Sequence, residues 1–214
     1  MATTDDPAPA DRSGLPSFAA IAKNSSPDVV DAKAVVLVEG VSDQRALQAL
    51  AERRGRNLEA ERVVIVPIGG ATNIGRFLDR YGPHRHDVRV AGLCDAGEEA
   101  AYRRGLERAG FGSMISRADM EALGFHVCVE DLEDELIRSL GAEAVERVIE
   151  ARGDLPSFRI LQQQPAQRAR SSEDQLRRFM GTRGGRKIEY ATLLVDALDL
   201  ACVPRPLDRL LSDV

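Results

Sequence analysis

The stretch A-V-V-L-V-E-G-V-S-D-Q-R-A-L-Q-A-L at residues 34–50 determines the fold class of this 214-residue chain. Its first five residues have the length and β-branched content of a strand that is buried on both faces of a parallel sheet. Gly40 permits a sharp turn out of that strand, and Ser42 can cap the helix that follows. Apolar residues then recur at helical spacing through Leu50, which predicts an amphipathic helix packed against the sheet.

Acidic residues follow two of the predicted strands. Glu39 stands at the carboxyl end of the first strand, and Asp43 lies in the first helical turn, where the helix dipole favours an anion. A second apolar run at 88–93 leads into Asp95. Because ligands collect outside the carboxyl ends of parallel strands, Glu39 and Asp95 share a crevice if their strands are neighbours. The three carboxylates then form an all-oxygen site suited to Mg²⁺ or Mn²⁺. Alternatively, each is an ordinary solvated acid at the end of a strand or helix.

Strands and helices alternate along the chain as far as residue 140, and the pattern is helical afterwards. We predict strands at 34–38, 62–67, 88–93 and 125–129, with helices at 42–54, 71–81, 98–109 and 132–140 and a short helical turn at 117–123. Further helices are predicted at 143–151, 158–163, 172–180, 187–199 and 207–211. Alternation of this kind is typical of an α/β fold with a doubly wound parallel sheet. We expect a flexible N-terminal tail at 1–30, an α/β domain at 31–140 and a helical C-terminal extension at 141–214.

Composition and missing motifs exclude several classes of function. Aromatic residues make up 4% of the chain and tryptophan is absent, so a base-stacking platform is not expected. The three cysteines have no C-x-x-C spacing, which argues against a zinc cluster or disulfide framework and favours reduced thiols in the cytoplasm. The first thirty residues do not resemble a signal peptide, and no apolar run reaches the length of a membrane span.

Histidine chemistry and nucleotide hydrolysis are also poorly supported. His84 and His86 lie together in a hydrophilic stretch that predicts an exposed loop, and His126 begins a predicted strand. The pair Gly69-Gly70 is not part of a dinucleotide-binding fingerprint. Neither glycine-rich stretch contains a phosphate-binding loop of the ATPase type.

The acidic motifs together resemble those of a TOPRIM domain. The resemblance is carried by E-G-V-S-D at 39–43, Gly69-Gly70 after the second predicted strand, Asp95 after the third, and V-E-D-L-E at 129–133. The combination is similar to the TOPRIM modules of the OLD (overcoming lysogenization defect) nucleases. The similarity covers roughly residues 33–140, with a weaker match near Arg186-Lys187.

This resemblance implies a TOPRIM-like doubly wound sheet of about four parallel strands that binds Mg²⁺ or Mn²⁺ and hydrolyses phosphodiesters. By the same resemblance, Glu39 is a metal ligand or general acid/base, and Asp43 and Asp95 are metal ligands. Glu133 completes the metal site, and Lys187 is the candidate catalytic lysine. The alternatives are that Glu133 is a first-turn acid that only stabilises its helix and that Lys187 is a surface lysine.

One departure from the family pattern affects the metal count. TOPRIM domains usually carry a D-x-D pair after the third strand, but this chain reads Asp95-Ala96-Gly97. Glu98 or Glu99 is a candidate substitute from the start of the next helix. The sequence therefore leaves open whether one cation or two are bound.

The charge distribution points to a polyanionic partner. Nine basic residues and four acidic ones lie between Arg152 and Tyr190, although the whole chain has a formal charge of −5. A basic extension beside a metal site suits nucleic acid, whereas the alternative is a solvated helix face with scattered ion pairs.

The leading hypothesis is a stand-alone DNA endonuclease, with RNA as a less favoured substrate and a homodimer as a candidate assembly. The alternative is a non-catalytic module that binds metal and nucleic acid and acts with a separate ATPase partner. Another TOPRIM chemistry, such as cleavage of structured RNA, remains open.

Overall fold

The computed structural model describes residues 31–82, 88–183 and 185–214. Residues 1–30, predicted as a tail, lie outside the described residues. The predicted histidine loop, with His84 and His86, also lies outside them.

Four parallel strands form one sheet in the order β2-β1-β3-β4. The strands are β1 (Ala34–Val38), β2 (Val63–Pro67), β3 (Arg89–Cys94) and β4 (Phe125–Val127). β1 lies between β2 and β3, with Val36 opposite Ile65 on one side and Ala91 on the other. The predicted α/β class with a parallel sheet is therefore confirmed. β4 ends two residues earlier than predicted, although the Cys128 N–H still donates to the Cys94 carbonyl at 2.9 Å.

Helices occur at each predicted position; the bounds predicted at 132–140 and 172–180 are confirmed, and the other helices have shifted ends. They are α1 (Val41–Arg53), α2 (Ile74–Tyr81), α3 (Glu99–Arg108), α4 (Arg117–Ala122), α5 (Leu132–Leu140), α6 (Ala142–Ala151), α7 (Leu155–Gln163), α8 (Ser172–Met180), α9 (Arg186–Ala197) and α10 (Arg205–Ser212). Short 3₁₀ helices at Ala71–Asn73, Ala96–Glu98 and Leu200–Cys202 were not predicted separately. In the described part of the chain, no helix has the length and apolarity needed to cross a bilayer.

The prediction that Ser42 caps α1 is wrong. The helix starts at Val41 with Gly40 as its N-cap residue, so Ser42 lies inside the first turn and is buried. The Gly40 N–H instead donates to the Asp43 carboxylate at 2.8 Å. Asp43 therefore stabilises the start of the helix in the role that was assigned to Ser42.

Helices cover both faces of the sheet. Alternate residues of β1 point to opposite sides, so Val36 packs with α1 and the C-terminal helices, and Leu37 packs with α2, α3 and α4. Gly92 in β3 allows close packing, because a Cβ atom there would lie 2.8 Å from the Phe125 ring and 2.9 Å from the Leu37 carbonyl oxygen. The central strands are thus buried on both faces, as their apolar sequences predict.

The C-terminal helices share a hydrophobic core with the α/β region. α9 packs along α1, and the Arg53 guanidinium donates to the carbonyls of Val195 and Leu198 at 2.6 and 2.7 Å. The rings of Phe158, Phe179 and Tyr190 stack edge to face inside the helical region, with centroids 5.2 and 6.3 Å apart. This packing places the first turn of α9 beside the carboxyl ends of the strands.

Candidate active site

Glu39 and Asp95 meet at the carboxyl ends of two neighbouring strands. Glu39 follows β1 and Asp95 follows β3, and these strands pair in parallel. The Asp95 backbone N–H donates to Glu39 Oε1 at 3.0 Å. Burial raises the pKa of Glu39 above its ordinary value; the Asp95 N–H opposes this rise, and the negative charge of Asp43 adds to it. The two acids lie in one crevice, as the strand-end pattern predicts.

Asp43 reaches the same crevice from the first turn of α1. Asp43 is only 8% exposed, and its carboxylate accepts the Gly40 N–H. Burial raises the pKa of Asp43, the Gly40 N–H opposes that change, and the Asp131 charge reinforces it. The Asp43 carboxylate is therefore poorly solvated and lies close to other acids.

Asp95 has the most strongly perturbed carboxylate of the group. Burial, followed by the negative charges of Glu39, Asp43 and Asp131, raises the pKa of Asp95 from 3.8 to about 7. Its side chain accepts no hydrogen bond from any described residue. A carboxylate in this situation is stabilised by a cation, because the cation supplies the charge that water would otherwise screen.

Glu133 and Lys187 form an ion pair at the edge of this acidic group. The Lys187 Nζ lies 2.9 Å from Glu133 Oε2, while the buried Glu133 Oε1 has no hydrogen-bond partner among the described residues. Burial raises the pKa of Glu133 even though Lys187 lowers it. Burial alone would depress the pKa of Lys187, but Glu133 raises it overall. The orphaned oxygen is an unused acceptor, and this fits a role of Glu133 in holding a cation.

Asp131 is a member of this group that the motif comparison did not single out. It is the N-cap residue of α5, where its Oδ1 accepts the Asp134 N–H at 2.9 Å and its Oδ2 accepts from Arg177 Nε at 2.7 Å. Its charge raises the pKa values of Asp43, Asp95 and Glu133. The available signal was its place in the V-E-D-L-E motif, as the residue just before the helix that follows β4.

The structure distinguishes between the two candidate substitutes for the missing aspartate. Glu99 is buried and bridges Arg103 and Arg117, with Arg117 Nε 2.9 Å away, and these hydrogen bonds lower the pKa of Glu99. Glu98 is partly exposed, and its charge raises the pKa of Glu39. Glu98, rather than Glu99, therefore shares the electrostatic environment of the site.

The acids are not preassembled as a cation cage. Within residues 31–82, 88–183 and 185–214, no three His, Cys, Asp or Glu side chains are close enough to hold a metal ion as placed. Three of the acids each have one oxygen in a hydrogen bond or ion pair: Asp43 with the Gly40 N–H, Glu39 with the Asp95 N–H, and Glu133 with Lys187. The oxygen-only donor set, the raised pKa values and the orphaned Glu133 oxygen nevertheless fit a hard divalent cation.

Cysteine and histidine chemistry finds no support at this site. Cys94 and Cys128 are buried, and burial raises the pKa of both thiols well above the ordinary value, so both are weak nucleophiles. His126 is also buried, and its Nε2 lies 2.7 Å from Asp213 near the C-terminus. These residues pack the fold.

Comparison with known proteins finds matches to the family that the motifs resemble. Residues 32–96 match the family model of the overcoming lysogenization defect protein-like TOPRIM domain. The structure is similar to the C-terminal region of the OLD protein of Xanthomonas campestris pv. campestris, with a TM-score of 0.70 and 24% identity over 87% of this chain and 94% of that one. The C-terminal region of the Burkholderia pseudomallei OLD protein matches with a TM-score of 0.65 and 20% identity, over 86% of this chain and 97% of that one. No curated protein sequence matches the chain.

Proposed function

Because the chain carries an OLD-like TOPRIM domain within the fold of the OLD C-terminal region, we propose that it is a divalent-metal-dependent nuclease, and a DNA endonuclease in particular. The observation that carries this proposal is the convergence of Glu39, Asp43, Asp95 and Glu133 with Lys187. These residues come from five places in the fold, the ends of β1 and β3 and the first turns of α1, α5 and α9, and each acid has a pKa raised by burial and by its neighbours. Perturbed acids gathered outside the carboxyl ends of parallel strands are typical of a catalytic site.

Mg²⁺ or Mn²⁺ is the proposed cofactor. Glu39, Asp43, Asp95 and Glu133 would hold it, and Asp131 stands beside them as a further carboxylate. When bound, a divalent ion neutralises charge on the phosphate oxygens and lowers the pKa of a water molecule. The protein's own contribution is a set of carboxylates whose charges are poorly solvated until a cation compensates them.

Individual side chains then have separate roles. Glu39 is held in place by the Asp95 N–H, and we assign it as a ligand or as the group that takes a proton from the attacking water. Lys187 carries an ammonium at the edge of the acids, where it can stabilise negative charge on the phosphate in the transition state. Because it is half-exposed, Lys187 remains accessible to a substrate.

Nucleic acid is the proposed substrate, with DNA favoured over RNA. The basic residues of the C-terminal helices, such as Arg170 and Arg178, are exposed beside the acidic site. A separate ATPase and a second copy of the chain are proposed partners, and the cytoplasm is the proposed location.

A plasmid cleavage assay tests this proposal. The wild-type protein should convert supercoiled plasmid to nicked or linear forms in millimolar Mn²⁺, whereas Glu39→Ala, Asp95→Ala and Lys187→Ala should lose at least about a hundredfold in rate. Asp79→Ala, an exposed acid on α2, is the matched control and should cleave like the wild type. Equal cleavage by the wild type and all three site variants would mean that the activity comes from a contaminant.

A second candidate function is a non-catalytic module that binds metal and nucleic acid for a partner ATPase. Gly97, in place of the second aspartate, favours it, as does the lack of a preassembled cation cage among the described residues. Calorimetric titration with Mn²⁺ discriminates between the two functions. Two coupled sites support the nuclease, and one weak site supports the module.

A further inference from the structure

A cleft of about 290 Å³ opens directly beside the proposed catalytic site. Its walls come from the start of α5, from α8 and the residues on either side of it, and from the first turn of α9. Glu133 and Lys187 form one end of the cleft, and Arg170, Arg178 and Asp174 line another part of it. The cleft is therefore continuous with the acidic site, but most of its wall belongs to the C-terminal helices.

Two of the basic side chains in the cleft are paired with acids, and the other two have no ion pair with a described residue. Lys187 is paired with Glu133 at 2.9 Å, and Arg177 is paired with Asp131 at 2.7 Å. Arg170 and Arg178 are exposed, and no ion pair joins either of them to another described residue. Two guanidinium groups in the cleft are thus available to a ligand.

Asp174 is the one cleft acid that has no basic partner among the described residues. It lies in the first turn of α8, four residues from each arginine, and its N–H donates to the Ser171 hydroxyl at 3.1 Å. At this position its charge interacts favourably with the helix dipole. The two unpaired arginines carry two positive charges against the single negative charge of Asp174, so this part of the cleft is net positive and attracts an anion.

The chemistry of the wall selects the kind of anion. Guanidinium groups match the oxygens of phosphate through paired hydrogen bonds. None of the residues lining this cleft is aromatic, so it offers no surface on which bases could stack. The cleft is therefore suited to the sugar–phosphate backbone and contacts it without reading its sequence.

We propose that Arg170 and Arg178 bind a backbone phosphate next to the one that is cleaved, so that the cleft forms the path of the nucleic acid to the acidic site. This inference rests on the proposed function, because it takes Glu133 and Lys187 to mark the cleavage end. It goes beyond the proposed function because it assigns substrate binding to two residues outside the TOPRIM motifs.

The test measures binding of a fluorescent 30-base-pair DNA duplex to the full chain in EDTA, where metal-dependent cleavage cannot occur. The double variant Arg170→Ala/Arg178→Ala should bind about tenfold more weakly at moderate salt. Its plot of log affinity against log salt should lose about 0.9 units of slope, the amount expected for one lost phosphate contact. Duplexes of different sequence should show the same loss.

Two further variants make the outcome decisive. Arg104→Ala/Arg108→Ala removes the same charge from exposed positions on α3, on the opposite face of the sheet, and should bind like the wild type. Asp174→Asn removes the opposing acid and should tighten binding severalfold. Unchanged affinity and slope in the double variant, an equal loss in the α3 variant, or no measurable binding by the wild type would each overturn the proposal.

Failure of this inference is distinguishable from failure of the proposed function. If the wild-type protein cleaves DNA in Mn²⁺ but the double variant binds normally, the cleft assignment is wrong and the nuclease stands. If the double variant binds weakly but the wild-type protein does not cleave, the cleft assignment stands and the nuclease is wrong.

Discussion

The Lys187 ammonium lies 2.9 Å from a carboxylate oxygen of Glu133, whose other oxygen is buried and has no hydrogen-bond partner in the described part of the chain. Glu133 belongs to the helix that follows β4, and Lys187 begins a helix near the end of the chain. The ammonium therefore supplies one positive charge to a group of acids that needs more than one. Lysine and metal would share Glu133 in the loaded protein.

The first prediction concerns the sharing of Glu133 between Lys187 and a metal ion. Lys187→Ala removes a cation that competes for Glu133, so it should tighten Mn²⁺ binding by about threefold to tenfold, where tenfold corresponds to 1.4 kcal/mol. The same change should destabilise the metal-free protein by about 1–2 kcal/mol, because the buried Glu133 loses its partner. Calorimetric titration and thermal melts measure the two effects. Arg183→Ala, an exposed neighbour, is the control, and a weaker Mn²⁺ affinity in Lys187→Ala would contradict the sharing.

The second prediction concerns the missing aspartate. A Cβ atom added at Gly97 meets no atom of the described residues within 4 Å, and Gly97 is not among the residues with positive φ. Gly97→Asp should therefore fold normally and add a carboxylate near Asp95, which should tighten Mn²⁺ binding by about tenfold. Gly97→Asn is the matched control, because it has the same shape without the charge. Equal Mn²⁺ affinity in the two variants would place position 97 outside the metal site.

The sequence predicted the sheet and the strand-end acids because both depend on local patterns. Apolar runs fixed the strands, and the position of Glu39 and Asp95 after two of them implied a shared crevice. Ser42 was misassigned as a cap because the Gly40 turn starts the helix one residue early. The pairing of Asp131 with Arg177 and the role of the cleft arginines depend on how the C-terminal helices pack against the sheet, and no local pattern encodes that packing.

The third prediction is a pH dependence of stability that follows from Asp95. Because its pKa rises from 3.8 to about 7 on folding, its favourable contribution is fully present below about pH 4 and is lost as the pH rises through about 7. Asp95→Asn should thus raise the melting temperature of the metal-free protein at pH 8 by roughly 2–4 °C, or about 1 kcal/mol after allowance for solvent screening of this partly exposed group. Thermal melts in EDTA should show no such gain at pH 4.

Binding of Mn²⁺ tests whether the Asp95 carboxylate causes this pH dependence. It should raise the melting temperature of the wild-type protein at pH 8 and should have a much smaller effect on Asp95→Asn. A lower melting temperature for Asp95→Asn at pH 8 would show that the carboxylate stabilises the metal-free fold, contrary to its raised pKa.

The last prediction concerns the residue that fixes the position of Lys187. Arg186 is buried, its guanidinium lies 4.0 Å from the centroid of the Phe179 ring, and it donates to the Thr182 hydroxyl at 2.9 Å. Asp154 Oδ2 lies 3.7 Å from Arg186 Nε and also accepts the Tyr190 hydroxyl at 3.0 Å. These contacts hold the first turn of α9 inside the helical core, while the next residue, Lys187, points to the acids.

Arg186→Ala should therefore destabilise the protein by about 2–4 kcal/mol, because it removes a buried cation and leaves Asp154 without it. Urea denaturation measures this loss, and Arg183→Ala should cost less than about 0.5 kcal/mol because it is exposed. Tyr190→Phe serves as a second control. It removes one hydrogen bond to Asp154 but leaves Arg186, and with it the position of Lys187, unchanged, so this variant should still cleave DNA. If Arg186→Ala resists urea as well as the wild type does, the first turn of α9 is held by other contacts and the position of Lys187 does not depend on Arg186.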